Sequence, residues 1–150
     1  MPEQGHREDS VQARDASLGP AASALEFIGS GAYAVDKAGR ILAVNSAALR
    51  LLGRSAGDVV GQDAHELLHR GAHGRPLAAA QCGMRQAFHS GRAAQGDQEF
   101  FAHGDGSVIP VSWLITPYEL GGQETGTLVI FTALIHRRRR DGLPAAPLCR

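Results

Sequence analysis

The chain has 150 residues, with 15 basic and 15 acidic side chains and a formal net charge of zero at pH 7. This length suits one domain with a single hydrophobic core. The balanced charge provides no broad basic field, so direct nucleic-acid binding is not expected. Because no apolar run reaches membrane-spanning length and no secretory signal opens the chain, we expect a cytoplasmic protein; its two cysteines predict reduced thiols.

Two different patterns precede the first strand. Residues 1–16 are polar and charged, which predicts a disordered N-terminal tail. Ser17 is a candidate helix cap, and from Leu18 to Ile28 apolar residues recur at helical spacing. We therefore expect an N-terminal flanking helix with an apolar face that must be buried.

Residues 31–53, GAYAVDKAGRILAVNSAALRLLG, predict a hairpin followed by a short capped helix. Period-two patterns over residues 31–35 and 41–44 indicate strands on either side of a turn. Asn45 suits an N-cap, because its side-chain oxygen can accept from free backbone N–H groups. Gly53 then favours the left-handed conformation that ends a helix.

Helical signals continue through the middle of the chain. Ser55 with Asp58, and Asp63 with Glu66, resemble capping boxes that open short helices. Residues 77–89 place apolar side chains at helical spacing and precede a glycine, which predicts one longer helix.

The last third of the chain predicts three strands. Residues 98–102 form a short strand that turns through Asp105-Gly106 into an alternating strand at 108–115. Gly121-Gly122 supplies the next turn. Residues 127–133 are almost continuously apolar, which is typical of a central strand covered on both sides. The predicted fold class is therefore α+β, with a five-stranded antiparallel sheet and short helices on one face.

The order of these segments and their residue patterns resemble those of the PAS sensor-domain family, as found in bacterial signalling proteins. GAYAVDKAGRILAVNSAALRLLG resembles the family's opening hairpin and helix, and GQDAHELLH its middle segment. HGDGSVIPVSWLITP and GTLVIFTALIHRR resemble its closing strands. The resemblance covers residues 24–138 and implies a sensory or protein-interaction module that is not an enzyme.

The resemblance also implies how such a module would signal. Family members often join the last strand to an effector through an Asp-Ile-Thr triplet, whereas residues 133–135 here are Ala-Leu-Ile. Residues 17–136 are thus predicted to form the PAS-like domain, without a following effector domain. We expect signalling in trans, to a transcription regulator, kinase or phosphatase, and the flanking helix favours a homodimer.

Residues 137–150 predict a basic, proline-containing C-terminal tail. The basic run from His136 to Arg140 is interpreted as a solubilising terminus, because charge blocks are usually tails. Contact with an acidic partner or a nucleic-acid backbone is the alternative, and four arginines without interleaved aromatic residues would bind phosphate only weakly.

The sequence His65-Glu66-Leu67-Leu68-His69 matches the HExxH pattern of zinc metalloproteases. Histidines at i and i+4 of a helix can share a metal, and Glu66 could activate a bound water. However, a helix opening near Asp63 and meeting Gly71 is short for such a site. We therefore regard a zinc metallohydrolase as the least favoured function and predict no catalytic residue.

A milder hypothesis treats His65, His69, His73 and Cys82 as a metal-binding or redox cluster. The alternative is that the histidines are ordinary polar residues and that Cys82 is a small buried hydrophobic residue. The second interpretation is preferred, because the ligands do not form CxxC-like pairs.

The resemblance allows other cofactors to be tested by residue. Light-sensing relatives use a cysteine in a Gly-x-Asn-Cys-Arg segment, and Ala64 stands at that position, which excludes a flavin photoadduct. Haem-binding relatives place an axial histidine on the long helix, where only His89 lies near its end; a surface histidine is the simpler interpretation. No cofactor is the default expectation.

A small apolar ligand could also lie between the sheet and the helices. Aromatic and apolar residues of this kind also fill the core of ordinary domains, and that interpretation is preferred. The candidate pocket residues are Tyr33, Val35, Phe88, Trp113 and Phe131.

Overall fold

A computed structural model describes residues 24–26, 28–120 and 123–134. In this part of the chain six strands form one antiparallel sheet, in the order β2-β1-β6-β5-β4-β3. The strands are β1 (Gly31–Asp36), β2 (Ile41–Val44), β3 (His69–Arg70), β4 (Ala94–Ala102), β5 (Val108–Leu120) and β6 (Gln123–Ala133). The helices are α1 (Ser46–Leu52), α2 (Ala56–Val59), α3 (Ala64–Leu68), a 3₁₀ helix (Ala79–Gln81) and α4 (Gly83–Ser90).

The predicted α+β class and the antiparallel sheet are confirmed. The predicted N-terminal tail, most of the flanking helix, the turn at residues 121–122 and the C-terminal tail lie outside the described residues. No helix among the described residues is long and apolar enough to cross a membrane.

The hairpin and first helix form where the sequence predicts them. The Asn45 side-chain oxygen accepts hydrogen bonds from the backbone N–H groups of Ala48, at 2.8 Å, and Ala32, at 2.9 Å. Gly53 ends α1 with φ 61°, in the left-handed region. Asn45 therefore both caps α1 and ties it to β1. Its amide nitrogen donates to the carbonyl oxygens of Leu25, Ile28 and Ser30.

The hydrophobic core lies between one face of the sheet and the helices. Three buried rings occupy its centre: Tyr33 of β1, Phe101 of β4 and Phe131 of β6. Their centroids are 5.0 to 6.4 Å apart, with tilted or edge-to-face planes, as aromatic quadrupoles favour. These contacts join neighbouring and distant strands into one core.

The sheet differs from the predicted five strands in two respects. The sixth strand, β3, has only two residues and pairs His69 with Phe101 of β4. It exists because α3 ends at Leu68 and the chain continues in an extended conformation. The strand predicted from residue 98 begins earlier, at Ala94, and contains a register shift between Gly96 and Glu99.

The predicted single helix over residues 77–89 is wrong. Cys82 adopts an extended conformation, with φ −91° and ψ 110°, and separates the 3₁₀ helix from α4. The break also turns the Cys82 side chain into the core, where it is fully buried.

The prediction that the last strand is covered on both sides is also wrong. Val129 and Phe131 are buried against the helices, whereas Leu128 and Ile130 are only half-buried and Thr132 is exposed. Strand β6 is central in strand order, between β1 and β5. Its apolar run therefore serves the core on one face and leaves the other partly open.

Candidate functional site

The site is built where α3 meets β3. Asp63 caps α3 by accepting a hydrogen bond from the Glu66 backbone N–H at 3.0 Å. The helix is five residues long, and His69 follows it with φ −78° and ψ 125°. His65 therefore projects from a helix and His69 from a strand, although both side chains are buried.

Two histidines and one cysteine meet in the core, and we call His65, His69 and Cys82 the His–Cys cluster. The two Nδ1 atoms of His65 and His69 are 3.2 Å apart. The Sγ atom of Cys82 lies 3.2 Å from the same Nδ1 of His69. The three potential ligand atoms all lie within 4.8 Å of one another, and all three residues are buried.

Neighbouring groups orient both rings. The Nε2 of His65 lies 2.8 Å from the carbonyl oxygen of Leu77, so this nitrogen carries the proton and donates it. The other ring nitrogen of His65, Nδ1, faces His69. The His69 ring stacks on Phe101, with centroids 5.3 Å apart and planes 5° apart.

Burial favours the uncharged forms of His69 and Cys82. Burial, and then the neighbouring His65, lower the pKa of His69 to about 3. Burial also raises the pKa of the Cys82 thiol, against the opposing effect of the Arg85 backbone N–H. At neutral pH His69 is therefore a neutral imidazole and Cys82 a thiol.

A small cavity borders the cluster, and we call it the core cavity. Its volume is about 40 Å³ and both His65 and His69 line it. One water needs about 10–15 Å³ of such space, whereas sites for organic cofactors span about 300–1,000 Å³. The core cavity thus has room for a few water-sized groups, and in this conformation not for haem or flavin. Other lining residues include Tyr33, Val35, Ala64, Met84, Phe88 and Val129.

Two buried polar atoms beside the core cavity have no hydrogen-bond partner among the described residues. They are the hydroxyl of Tyr33 and the Nε2 of His69. Burial raises the pKa of Tyr33, so its hydroxyl stays protonated. Unpartnered buried polar groups are uncommon, and in pairs beside a cavity they indicate a place for a polar occupant.

The structure brings together some of the residues singled out in the sequence and separates others. Tyr33, Val35 and Phe88 line the core cavity, whereas Trp113 and Phe131 are buried outside it. His73 is exposed on the loop after β3 and does not join His65, His69 and Cys82. The geometry thus supports three of the four candidate ligands.

The HExxH motif does not form the arrangement of a metalloprotease. Its second histidine, His69, lies on a strand, and Glu66 is exposed while both histidines are buried. A carboxylate on the solvent side cannot activate a water held between the two Nδ1 atoms. The geometry therefore gives no support to hydrolysis by this motif.

The structure also shows where the two positions that the resemblance linked to cofactors lie. Ala64 is buried and lines the core cavity. His89 is exposed in the last turn of α4 and does not line the cavity. Its ring packs edge-to-face with Phe88, with ring centroids 5.2 Å apart. An axial haem ligand would have to face inwards, so His89 is not positioned for that role.

Sequence reasoning missed several residues that shape the site. Phe101 stacks on His69, and Met84 lines the core cavity. The alternation in β4 could have placed Phe101 on the inner face. Nothing local in the sequence indicates that the Leu77 carbonyl would accept from His65, because the helical spacing over residues 77–89 places that carbonyl in a helix.

The structure is a small α+β domain with a buried polar cluster and a cavity between the sheet and the helices. Comparison with known proteins identifies the family. A family profile described as a PAS domain matches residues 30–134. The chain therefore belongs to the PAS domain family, whose members are typically signal-sensing modules of histidine kinases and regulators.

Solved structures share this fold at low sequence identity. The PAS domain of an HTR-like protein from Haloarcula marismortui is 20% identical, with TM-score 0.57, covering 87% of this chain and 100% of that one. The PAS domain of nitrogen regulation protein NR(II) from Vibrio parahaemolyticus is 20% identical, with TM-score 0.57 and coverages of 76% and 97%. The PAS domain of the fruit-fly ELK potassium channel is 11% identical, with TM-score 0.64 and coverages of 79% and 98%. No curated protein sequence matches the chain.

Proposed function

We propose that this chain is a sensory module that detects a small polar occupant or ion beside the His–Cys cluster and transmits its presence to a second protein molecule. The observation that carries the proposal is the pair of unpartnered buried polar atoms, Tyr33 Oη and His69 Nε2, beside a cavity of about 40 Å³. An occupant that bonds to such atoms changes the packing between sheet and helices, and so shifts the population of conformations.

The proposed output surface is the open face of the sheet. We call Ser112, Leu114, Leu128, Ile130 and Thr132 the outer face; they occupy paired positions on β5 and β6 that alternate with the core residues. The Leu114 side chain is 41% exposed, although it lies in the middle of a strand. The resemblance to PAS modules implies pairing with a second copy, so we propose a homodimer formed through this face.

The dimer can be tested with one exposed leucine and one matched exposed valine. Leu114→Glu places a charge on the outer face. Val60→Glu changes a residue that follows α2, is 44% exposed and is not part of the outer face. We expect the wild type and Val60→Glu to sediment as dimers and Leu114→Glu as a monomer, because a buried charge opposes association. A monomeric wild type at millimolar concentration, or a dimeric Leu114→Glu, would refute the proposal.

A second candidate function, metal sensing, is favoured specifically by the convergence of His65, His69 and Cys82. Redox sensing receives less support, because burial raises the pKa of Cys82 and reactive cysteines need an accessible thiolate. Control of transcription, of a kinase or of a phosphatase in trans stays a prediction from the sequence, as does a cytoplasmic location.

A further inference from the structure

We propose that the His–Cys cluster binds one divalent transition-metal ion of the zinc type, with His65 Nδ1, His69 Nδ1 and Cys82 Sγ as its ligands. Imidazole nitrogen and thiolate sulfur together select zinc-like ions over magnesium or calcium, which prefer oxygen ligands. The inference deepens the proposed sensory function, on which its signalling role rests, by adding an ion site at the His–Cys cluster next to the core cavity.

The spacing of the ligand atoms matches such an ion. Zn–N bonds of about 2.0 Å and Zn–S bonds of about 2.3 Å place adjacent ligand atoms of a tetrahedral site roughly 3.3–3.6 Å apart. Here the His65 and His69 nitrogens are separated by 3.2 Å, and the Cys82 sulfur lies 3.2 Å from the His69 nitrogen. These two separations differ from the tetrahedral values by a few tenths of an ångström, and the third pair, His65 Nδ1 and Cys82 Sγ, lies within 4.8 Å.

One of the two rings already has the outer support that metal-bound histidines require. A ligating histidine almost always donates its second ring N–H to a carbonyl or carboxylate. His65 does this through Nε2 to the Leu77 carbonyl oxygen at 2.8 Å, which leaves Nδ1 as the free ligand atom. His69 is held by its stack on Phe101. Both Nδ1 atoms are therefore oriented before any ion arrives.

A purely structural role explains the cluster less well. The single Nδ1 of His69 faces both the Nδ1 of His65 and the Sγ of Cys82, but it offers either one proton or one lone pair. A cation placed between the three atoms replaces these competing contacts with three bonds.

Three protein ligands leave one coordination position open. The group of potential ligands within bonding range comprises only His65, His69 and Cys82 among the described residues. The core cavity is lined by both histidines and holds a few water-sized groups, so a water or small anion can complete the tetrahedron. Zinc sites with three protein ligands and an exchangeable fourth are open to exogenous ligands.

The surroundings also suit the charge of the bound ion. Binding of the ion releases the Cys82 thiol proton to solvent, and the divalent ion with one thiolate then carries a net positive charge. The half-buried carboxylate of Glu99 lies against Gly83, directly beside Cys82, and interacts electrostatically with His65. This carboxylate balances the remaining charge without serving as a ligand.

Cobalt(II) titration of the full chain without an affinity tag tests the site directly. The Co²⁺ ion replaces zinc in such sites and gives a thiolate-to-metal charge-transfer band when sulfur is a ligand. We expect this band to saturate at one equivalent of Co²⁺ and to disappear when Zn²⁺ is added. Absence of a thiolate band at saturating Co²⁺ would overturn the proposal.

Variants assign the ligands. Cys82→Ser is expected to abolish the charge-transfer band, and His65→Asn and His69→Asn to weaken Co²⁺ binding at least about 100-fold, since even outer-shell losses reach that size. Cys149→Ser and His89→Asn are the matched controls and should leave the titration unchanged. Loss of the band in Cys149→Ser instead of Cys82→Ser would refute the assignment.

A further measurement keeps all three proposed ligands, so its result does not depend on whether the ligand variants fold. In Cys149→Ser, stoichiometric Zn²⁺ should raise the melting temperature and slow alkylation of Cys82 at least tenfold, because binding stabilises the native state. Unchanged melting and alkylation would count against the site. Signalling through metal occupancy rests on the proposed function, whereas metal binding does not. If the protein shows the cobalt band but is strictly monomeric, the metal site is supported and the proposed dimer is refuted.

Discussion

Asn45 shows how one side chain can organise several elements. It is buried, and its side-chain oxygen and nitrogen are both fully used. The oxygen accepts from Ala48 of α1 and Ala32 of β1, while the nitrogen donates to carbonyl groups of the segment before β1. The sequence indicates only the helix cap, because the other partners are distant along the chain or outside any regular pattern.

We predict that Asn45→Ala lowers the free energy of unfolding by about 3 kcal/mol. A helix cap alone contributes about 1 kcal/mol, and buried groups left without partners add about 1–3 kcal/mol. Ser55→Ala is the control, since Ser55 stands at the N-cap of α2 but bonds only to the Asp58 side chain, at 2.8 Å. Urea unfolding should show a change below about 0.5 kcal/mol for Ser55→Ala. Equal effects of the two substitutions would contradict the role given to Asn45.

At the scale of elements, close packing explains features that the sequence pattern leaves open. Gly96 in β4 pairs with Trp113 in β5. The indole ring covers Gly96, so that an ideal Cβ at this position would lie 2.7 Å from Trp113 Cζ2. Trp113 is itself buried on the inner face. A glycine in mid-strand, which by itself weakens a strand, here makes room for the ring.

We predict that Gly96→Ala lowers the free energy of unfolding by about 1–3 kcal/mol, the usual cost of overpacking. Gly57→Ala is the matched control, because Gly57 lies in α2 and an added Cβ there meets nothing within 4 Å. That substitution should be neutral or stabilise by up to about 1 kcal/mol, since alanine favours helices. Chemical unfolding of both variants distinguishes them, and an unaffected Gly96→Ala would show that the Trp113 ring moves freely.

The interrupted helix is a second case at the same scale. Helical spacing over residues 77–89 predicts one helix, and the only local signal against it is the low helix propensity of Gly83, next to Cys82. In the structure Cys82 is extended and buried beside His69. Burial of this side chain in the core outweighs the continued helix, as tertiary contacts often override weak propensities.

At the scale of the whole molecule, the fold leaves a space between its sheet and its helices. Val129 of β6 lines this core cavity, whereas Val111 of β5 is fully buried in the surrounding core and does not line it. Protein interiors are generally close-packed. An added methyl group would therefore find space at Val129 but not at Val111, although both residues lie on the inner face of the sheet.

We predict that Val129→Ile raises the free energy of unfolding by about 1 kcal/mol, because the added methyl group fills the core cavity. Val111→Ile should lower it by about 1–3 kcal/mol, because no space receives the group. Thermal and urea unfolding measure both changes. A destabilised Val129→Ile would show that the cavity closes in solution.

The sequence by itself determined the local elements, and the reason is that their signals are short-range. Alternation marks β1 and β5, a nearly continuous apolar run marks β6, and the caps at Asn45, Gly53 and Asp63 define where helices begin or end. These residues act on backbone groups only a few positions away. The matching order of elements was also sufficient to indicate the family.

Only the tertiary structure decided which candidate ligands meet. His69 reaches the cluster because β3 pairs with β4, and Cys82 because its backbone leaves the helical conformation. His73 occurs in the same stretch of sequence but stays exposed. Pairing between distant strands and burial of single side chains depend on the packing of the complete chain, which no local pattern encodes.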